Sequence, residues 1–187
     1  MRIISGICRG RKLISPKGME IRPTSDRIKE SVFNILGPRV KNALVLDLFA
    51  GTGALGLEAL SRGAFRAVFV DKSAASCSII QQNIGHCRFF GQSHVLRLDI
   101  FSRPLPLSVT SCSFDLVFVD PPYHKNHVRT LFEHYPISSL LSVSGIVVAE
   151  HAAKETLPDL LNGLDIFRQK KYSGTTVSFL TRTQDPA

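Results

Sequence analysis

The sequence predicts a doubly wound α/β fold, a parallel sheet covered by helices and closed at its end by an antiparallel hairpin. Three observations predict it. Short apolar runs such as 43–49 (ALVLDLF) and 115–119 (DLVFV) recur with helical periodicity between them, the pattern of strands buried on both faces. A glycine-rich turn separates the first of those runs from the helix that follows it. The chain ends on two strand-like runs, 164–172 and 175–182, on either side of Ser173-Gly174, a hairpin signature.

Taken in order, residues 2–4 (RII) and 11–14 (RKLI) read as two short strands around a turn-prone 5–10, a small N-terminal β-hairpin arm. Pro16, Gly18 and Pro23 keep the next stretch extended. A helix is expected after Thr24 or Ser25, either of which can cap it, because Ile28, Val32, Ile35 and Leu36 form an apolar stripe at helical spacing. Gly37-Pro38 ends it. The strand over 43–49 leads into a helix over about 54–62, a buried strand over 67–70 closing on Asp71, and a helix over 73–87. Residues 95–98 and 115–119 are the next strands. Residues 125–141 are largely helical with Pro136 as an interruption, and 146–149 (IVVA) is a fifth strand before the final hairpin. The domain boundary falls near 37–42, dividing a basic arm and first helix (1–41) from the sheet domain (42–187).

The chain has 187 residues, 44% hydrophobic and 20% charged, enough for one domain with a full core and unlike a disordered chain. Its net charge of +8 is uneven. Residues 1–41 hold ten Lys/Arg and three acids, so +7 sits in the first fifth and +1 in the rest. A polyanionic partner and a plain solvated basic face explain that asymmetry equally well. No apolar run is long enough for a membrane span, and no membrane partner is expected. The start of the chain lacks a signal peptide's apolar stretch, and Gly6, Gly10, Pro16 and Gly18 would break a transit-peptide helix. The cysteines at 8, 77, 87 and 112 contain no C-x-x-C pair; four reduced cytosolic thiols and no metal site are expected.

The segment 45–56 (VLDLFAGTGALG) reads as strand, turn and helix, with Gly51, Gly53 and Gly56 spelling G-x-G-x-x-G. Asp71 follows twenty residues after Gly51, at the end of the next strand. Glycines let a backbone approach a nucleoside ligand, and the acid accepts from ribose hydroxyls, so a nicotinamide cofactor is one reading. Asp47, just before the glycines, favours another. A carboxylate there repels a pyrophosphate but suits a cationic ligand, such as the sulfonium and ammonium of S-adenosylmethionine. The chain is also short for a second dehydrogenase domain. Asp99, ending the third strand, is placed for the adenine amino group or is a plain loop acid.

Asp120-Pro121-Pro122-Tyr123 directly follows the strand DLVFV. In an open parallel sheet, ligands sit beyond the carboxyl ends of the strands, so the tetrad should face the glycine loop. Two prolines stiffen the turn and remove two N–H donors. What remains is the Asp120 carboxylate, a neighbouring backbone carbonyl and an aromatic ring. Two acceptors on the N–H bonds of a planar amine localise its lone pair and stabilise the positive charge that develops as it attacks a methyl group. Tyr123 would stack on the base, worth roughly 1–3 kcal/mol, and a stacked base would have to flip out to arrive.

These segments carry a family resemblance. VLDLFAGTGALGLEALSRGA, the later VD and DLVFVDPPY resemble amino-group methyltransferases of the S-adenosylmethionine-dependent, Rossmann-like class. GICRGRKL, RPTSDRIKESVFNIL and SGIVVAEH narrow the resemblance to the RsmD family, bacterial 16S rRNA guanine-N2 methyltransferases. It runs from Met1 to about Tyr172. The resemblance implies a seven-stranded sheet and a substrate that is 16S rRNA within the small ribosomal subunit or its precursor. It implies S-adenosylmethionine held by Asp47, Phe49, Ala50, Gly51, Thr52, Gly53, Asp71, Lys72, Asp99 and Ile100. Asp120, Pro121, Pro122 and Tyr123 would serve the target base. A monomeric, cytoplasmic enzyme is expected. The rivals are a DNA adenine-N6 methyltransferase and a catalytically silent RNA-binding assembly factor.

Arg9, Arg11 and Lys12 on the hairpin are expected to meet phosphate, since a projecting arm has little structural need for them. Arg22 and Arg27, with Lys29 nearby, flank the first helix and either contact phosphate or are solvated; Arg27 is also in reach of a cofactor carboxylate. His124 and His127 read as surface histidines, and Glu150-His151 as structural or pocket-lining.

Overall fold

The computed structural model describes residues 1–16, 23–122, 127–155, 157–158 and 161–183. Within them lie five α-helices and seven strands. In chain order these are α1 (Pro23–Leu36), β1 (Leu44–Leu48), α2 (Ala54–Ser61), β2 (Arg66–Asp71), α3 (Ala74–Cys87), β3 (Ser93–Arg97), α4 (Leu107–Thr110), β4 (Phe114–Val119), α5 (His127–His134), β5 (Leu141–Ala152), β6 (Leu164–Tyr172) and β7 (Thr175–Arg182). The strands form one sheet in the order β3-β2-β1-β4-β5-β7-β6. β1 to β5 are parallel, and β7 runs antiparallel between β5 and β6. The doubly wound sheet of seven strands with a C-terminal hairpin is therefore the fold, and the strand order reverses between β1 and β4, where such sheets bind ligands.

Alternation along each buried strand sorts side chains to two layers. Val45, Phe69, Phe118, Val148 and Phe179 pack with α1, α2 and α3 on one face. Leu46, Val70, Val117, Val119 and Leu180 pack with α4 and α5 on the other. The stripe on α1 holds: Ile28, Val32 and Leu36 are buried, joined by Phe33, whose ring lies 5.7 Å from that of Phe118. α1 begins at Pro23, ahead of the expected caps, because proline suits the first helical turn. Glycine is required where α2 packs on the sheet. A Cβ on Gly56 would lie 2.4 Å from Cε1 of the buried Phe69, and Gly53 opens the helix at φ +77°.

Four expectations are corrected. The arm does not project. Residues 2–4 and 11–14 pair at a single antiparallel bridge, Arg2 with Lys12, and the hairpin lies on α2 and α3 with Ile3, Cys8 and Leu13 buried. Its backbone needs acceptors there: Ile4 and Ser5 N–H donate to Glu58 at 2.7 and 3.0 Å, and Cys8 N–H donates to Ser61 Oγ at 3.0 Å. Lys29 is not a surface charge. It is 4% exposed, 3.4 Å from Glu58 Oε2, and donates to the Arg2 carbonyl. β5 begins at Leu141 rather than 146, reaching Phe114 across a bulge where Gly145 passes close to the Phe114 carbonyl. α4 was not foreseen; four residues carry too little periodicity to announce a helix. The Pro136 interruption holds, with α5 before it and a 3₁₀ turn over Ile137–Leu140 after it.

Candidate functional site

The carboxyl ends of β1, β2, β3 and β4 enclose a cavity of about 550 Å³, ample for a nucleoside-containing ligand. Of the residues expected at a cofactor, Asp47, Phe49, Ala50, Gly51, Thr52, Asp71, Lys72, Asp99 and Ile100 line it. Gly53 does not; its position is spent on the helix start, facing Phe69, Ile80 and Leu57. Asp120, Pro121 and Pro122 line the same cavity, so the tetrad's first three residues do meet the glycine loop. Tyr123 and Arg22 lie outside the described residues, as does His124.

Strand alternation places three acids together. Asp47, Asp120 and Glu150 each stand two residues beyond a side chain of the same layer, namely Val45, Phe118 and Val148. β1, β4 and β5 are adjacent, so the three carboxyls emerge side by side at one end of one face. Asp47 is fully buried, and its Oδ2 accepts from Gly56 N–H at 2.9 Å, capping α2 from a distance because Gly53 has no side chain to do so. Asp71 braces the loop: Oδ2 accepts from Gly51 N–H at 2.9 Å and Oδ1 from Ser73 N–H at 2.8 Å. Each of its oxygens keeps a lone pair for a ligand. Asp99 accepts from Phe101 N–H at 3.2 Å and lies 3.7 Å from Lys72 Nζ on the rim. Phe49 is held at φ +61°, a left-handed conformation that costs a bulky residue of order 1–3 kcal/mol.

Burial pushes the Asp47 carboxyl from 3.8 up to about 7; the Gly56 amide opposes this and the Asp71 charge adds to it. Burial likewise holds the Asp120 carboxyl well above the usual range, with repulsion from Glu150 and then Asp47 adding to it. The folded chain thus keeps protons that an unfolded chain releases near pH 4. That stabilisation is complete below the unfolded value and is lost as pH rises through the folded one. Unfolding free energy in denaturant titrations should therefore be lower at pH 8 than at pH 5.5, and Asp47→Asn should shrink the difference. Equal stability at both pH values would contradict the buried acidic wall.

Several wall residues escaped sequence reasoning. His127, read as a surface residue, is half-buried on the cavity wall and stacks on Phe101 at 4.9 Å between centroids. Met1 and Pro16 of the arm also line the cavity. Asn83 explains how the arm reaches it. Fully buried on α3, its Oδ1 accepts from Ile14 N–H at 2.7 Å, and its Nδ2 donates to the Ile14 and Thr52 carbonyls at 3.0 Å each. Of the amides Gln81, Gln82 and Asn83, Asn83 stands three residues after Ile80 and four before Cys87, and sharing their helical face was the available signal. Glu150 lines the cavity, as one of its two expected roles. His151 is structural, its Nε2 2.9 Å from Ser178 Oγ and its Nδ1 2.9 Å from the Glu155 carbonyl.

The basic candidates Arg9, Arg11, Lys12 and Arg27 are all exposed. Arg11 also donates to the His86 carbonyl near the end of α3, so it anchors the arm besides carrying charge. Among the described residues, no group of His, Cys, Asp and Glu could hold a metal ion, and no helix is long and apolar enough to cross a membrane.

Comparison with known proteins agrees with this architecture. The chain is 35% identical over 178 residues to YlbH of Bacillus subtilis, covering 95% of this chain and 97% of that protein. It is 33% identical over 170 residues to "Ribosomal RNA small subunit methyltransferase D" of Escherichia coli K12, covering 91% and 84%. The solved structure of yhhF from Escherichia coli superposes with a TM-score of 0.81 at 32% identity, covering 98% of each chain. The family model described as "Conserved hypothetical protein 95" matches residues 1–181. The chain belongs to that family, the RsmD family that its motifs resemble.

Proposed function

We propose that this protein methylates the N2 amine of a guanine in 16S rRNA of the small ribosomal subunit or its precursor, using S-adenosylmethionine. The observation that carries the reading is the meeting of the glycine loop, Asp71 and Asp120-Pro121-Pro122 around one cavity at the strand-order reversal. The name of the Escherichia coli relative supports the rRNA substrate.

The residues present fit the cofactor. The Asp47 carboxyl beside the glycine loop suits a cationic ligand, and Asp71, already braced by two backbone amides, is oriented to accept ribose hydroxyls. Asp99 and Ile100 would border the adenine, and Phe49, Ala50, Gly51, Thr52 and Lys72 the remainder. The cofactor supplies an electrophilic methyl group. The chain's own contribution is position and charge. Asp120 accepts one N–H of the target amine and a neighbouring carbonyl accepts the other. This localises the nitrogen lone pair and stabilises the charge that builds on it. The burial that raises the Asp120 pKa makes its ionised form a ready acceptor for the proton that nitrogen sheds. Tyr123 stacks on the base.

Residues 1–41 form the RNA-holding part in this reading, with Arg9, Arg11, Lys12, Arg22 and Arg27 as phosphate contacts. Reversing Arg9 and Lys12 to Glu should weaken rRNA binding and reduce its salt slope by about one unit per lost contact, while cofactor affinity stays nearly constant. Titrations at several salt concentrations check this. Arg11 is spared because it also anchors the arm. A monomer in the cytoplasm completes the reading.

The test is incubation with methyl-labelled cofactor and either unmethylated small subunits or duplex DNA. Label in rRNA supports the reading. Label in DNA alone would favour the adenine-N6 rival, and cofactor binding with no transfer to either would favour the silent assembly factor.

A further inference from the structure

A smaller cavity of about 100 Å³ opens against α1, between that helix and the sheet, lined by Ile28, Val32, Val148 and Val177. Asp120 and Glu150 stand on the walls of both cavities. Strand register explains why. Val119 of β4 lies opposite Ala149 of β5, so the next residues on each strand leave the sheet as neighbours on one face. Both are half-buried, and the Glu150 charge raises the cost of charging Asp120. A ligand matching this pair offers two donors side by side and an apolar body.

Resting on the function proposed above, we infer that Glu150 reads the target base as guanine, accepting from the ring N1–H while Asp120 accepts from the adjacent exocyclic amine. The three amine-bearing bases differ at this point. Guanine alone places a ring N–H next to its amine. Adenine and cytosine present ring-nitrogen lone pairs there, and a carboxylate facing a lone pair is repelled. A carboxylate facing N1–H forms a charge-assisted hydrogen bond. The pair thus selects guanine both by attraction and by exclusion of the alternatives. Glu150 takes no part in bond formation; it fixes which base presents its amine to Asp120.

The experiment uses small-subunit rRNA whose methylated nucleotide, mapped by mass spectrometry, is replaced by 2-aminopurine. That base keeps the amine and exchanges N1–H for a lone pair. The wild-type enzyme should prefer guanine by at least about tenfold in kcat/KM. Glu150→Gln, whose amide can donate to that lone pair, should narrow or invert the preference, with melting temperature and cofactor affinity retained. Glu150→Asp, which withdraws the carboxylate by one methylene, should also narrow it and serves if the Gln variant fails to fold. Equal use of both bases by the wild type would overturn the inference, as would an unchanged preference in the variants. Methyl label found on adenine or cytosine would instead overturn the function itself, and this role with it.

Discussion

Asp120→Ala is expected to lower kcat for rRNA methylation by about 10²–10³-fold, while cofactor and rRNA affinities change by less than about threefold. The reasoning starts from position. Asp120 ends β4, where the sheet order reverses, on a wall shared with the glycine loop and with Glu150. Its environment is built against a charge, since burial and two neighbouring carboxyls all push its pKa up. A carboxyl held there is poised to gain when positive charge develops beside it, and that gain arises on the way to the transition state. Removing it should therefore fall on kcat. Single-turnover rates measured beside binding titrations separate the two. A variant with normal kcat and weakened cofactor binding would make Asp120 a cofactor ligand instead.

The second large effect is structural. Glu58→Ala should cost about 3–5 kcal/mol of stability, the loss typical when one member of a buried ionic group is removed. Glu58 is 0% exposed and accepts from four donors: Ile4 and Ser5 N–H, Arg62 Nε at 2.8 Å and Lys29 Nζ at 3.4 Å. One carboxylate thus joins the arm, α1 and α2. Without it, Lys29 is left buried with the Arg2 carbonyl and the more distant Asp26 charge to offset its own, and burial already lowers its pKa. Protease should then cut the arm more readily, and cofactor binding should weaken because Met1 and Pro16 leave the cavity wall. The double variant Lys29→Met with Glu58→Leu should recover part of the loss, since an apolar pair removes the desolvation cost. A loss under about 1 kcal/mol in chemical denaturation would show that the arm is held by its apolar contacts alone.

The sheet was legible because its strands are buried on both faces and therefore read as continuous apolar runs. The segment 43–49 became Leu44–Leu48 and 115–119 became Phe114–Val119. The early part of β5 was hidden because LSVSG mixes serines and glycine into a bulged, half-exposed strand. At the site, the glycine loop and the proline turn announce themselves, since backbone geometry demands those residue types. Residues whose placement depends on docking between distant segments do not. Lys29, His127 and Asn83 have polar side chains that look solvated until the arm, Phe101 and Ile14 are packed against them. Glu58 had a usable signal: it is the lone charge in an otherwise small and apolar eight-residue helix, ALGLEALS. The charge asymmetry marked the first 41 residues as basic, yet gave no hint that Ile3, Cys8 and Leu13 pin the arm to the sheet domain.

The most direct measurement is mass spectrometry of nucleosides digested from small-subunit rRNA after incubation with the wild-type protein and a deuterated methyl donor. The account predicts a single labelled product, N2-methylguanosine, absent when Asp120→Ala replaces the wild type. Label on an adenine or cytosine amine, or N2-methylguanosine formed equally well by Asp120→Ala, would contradict it.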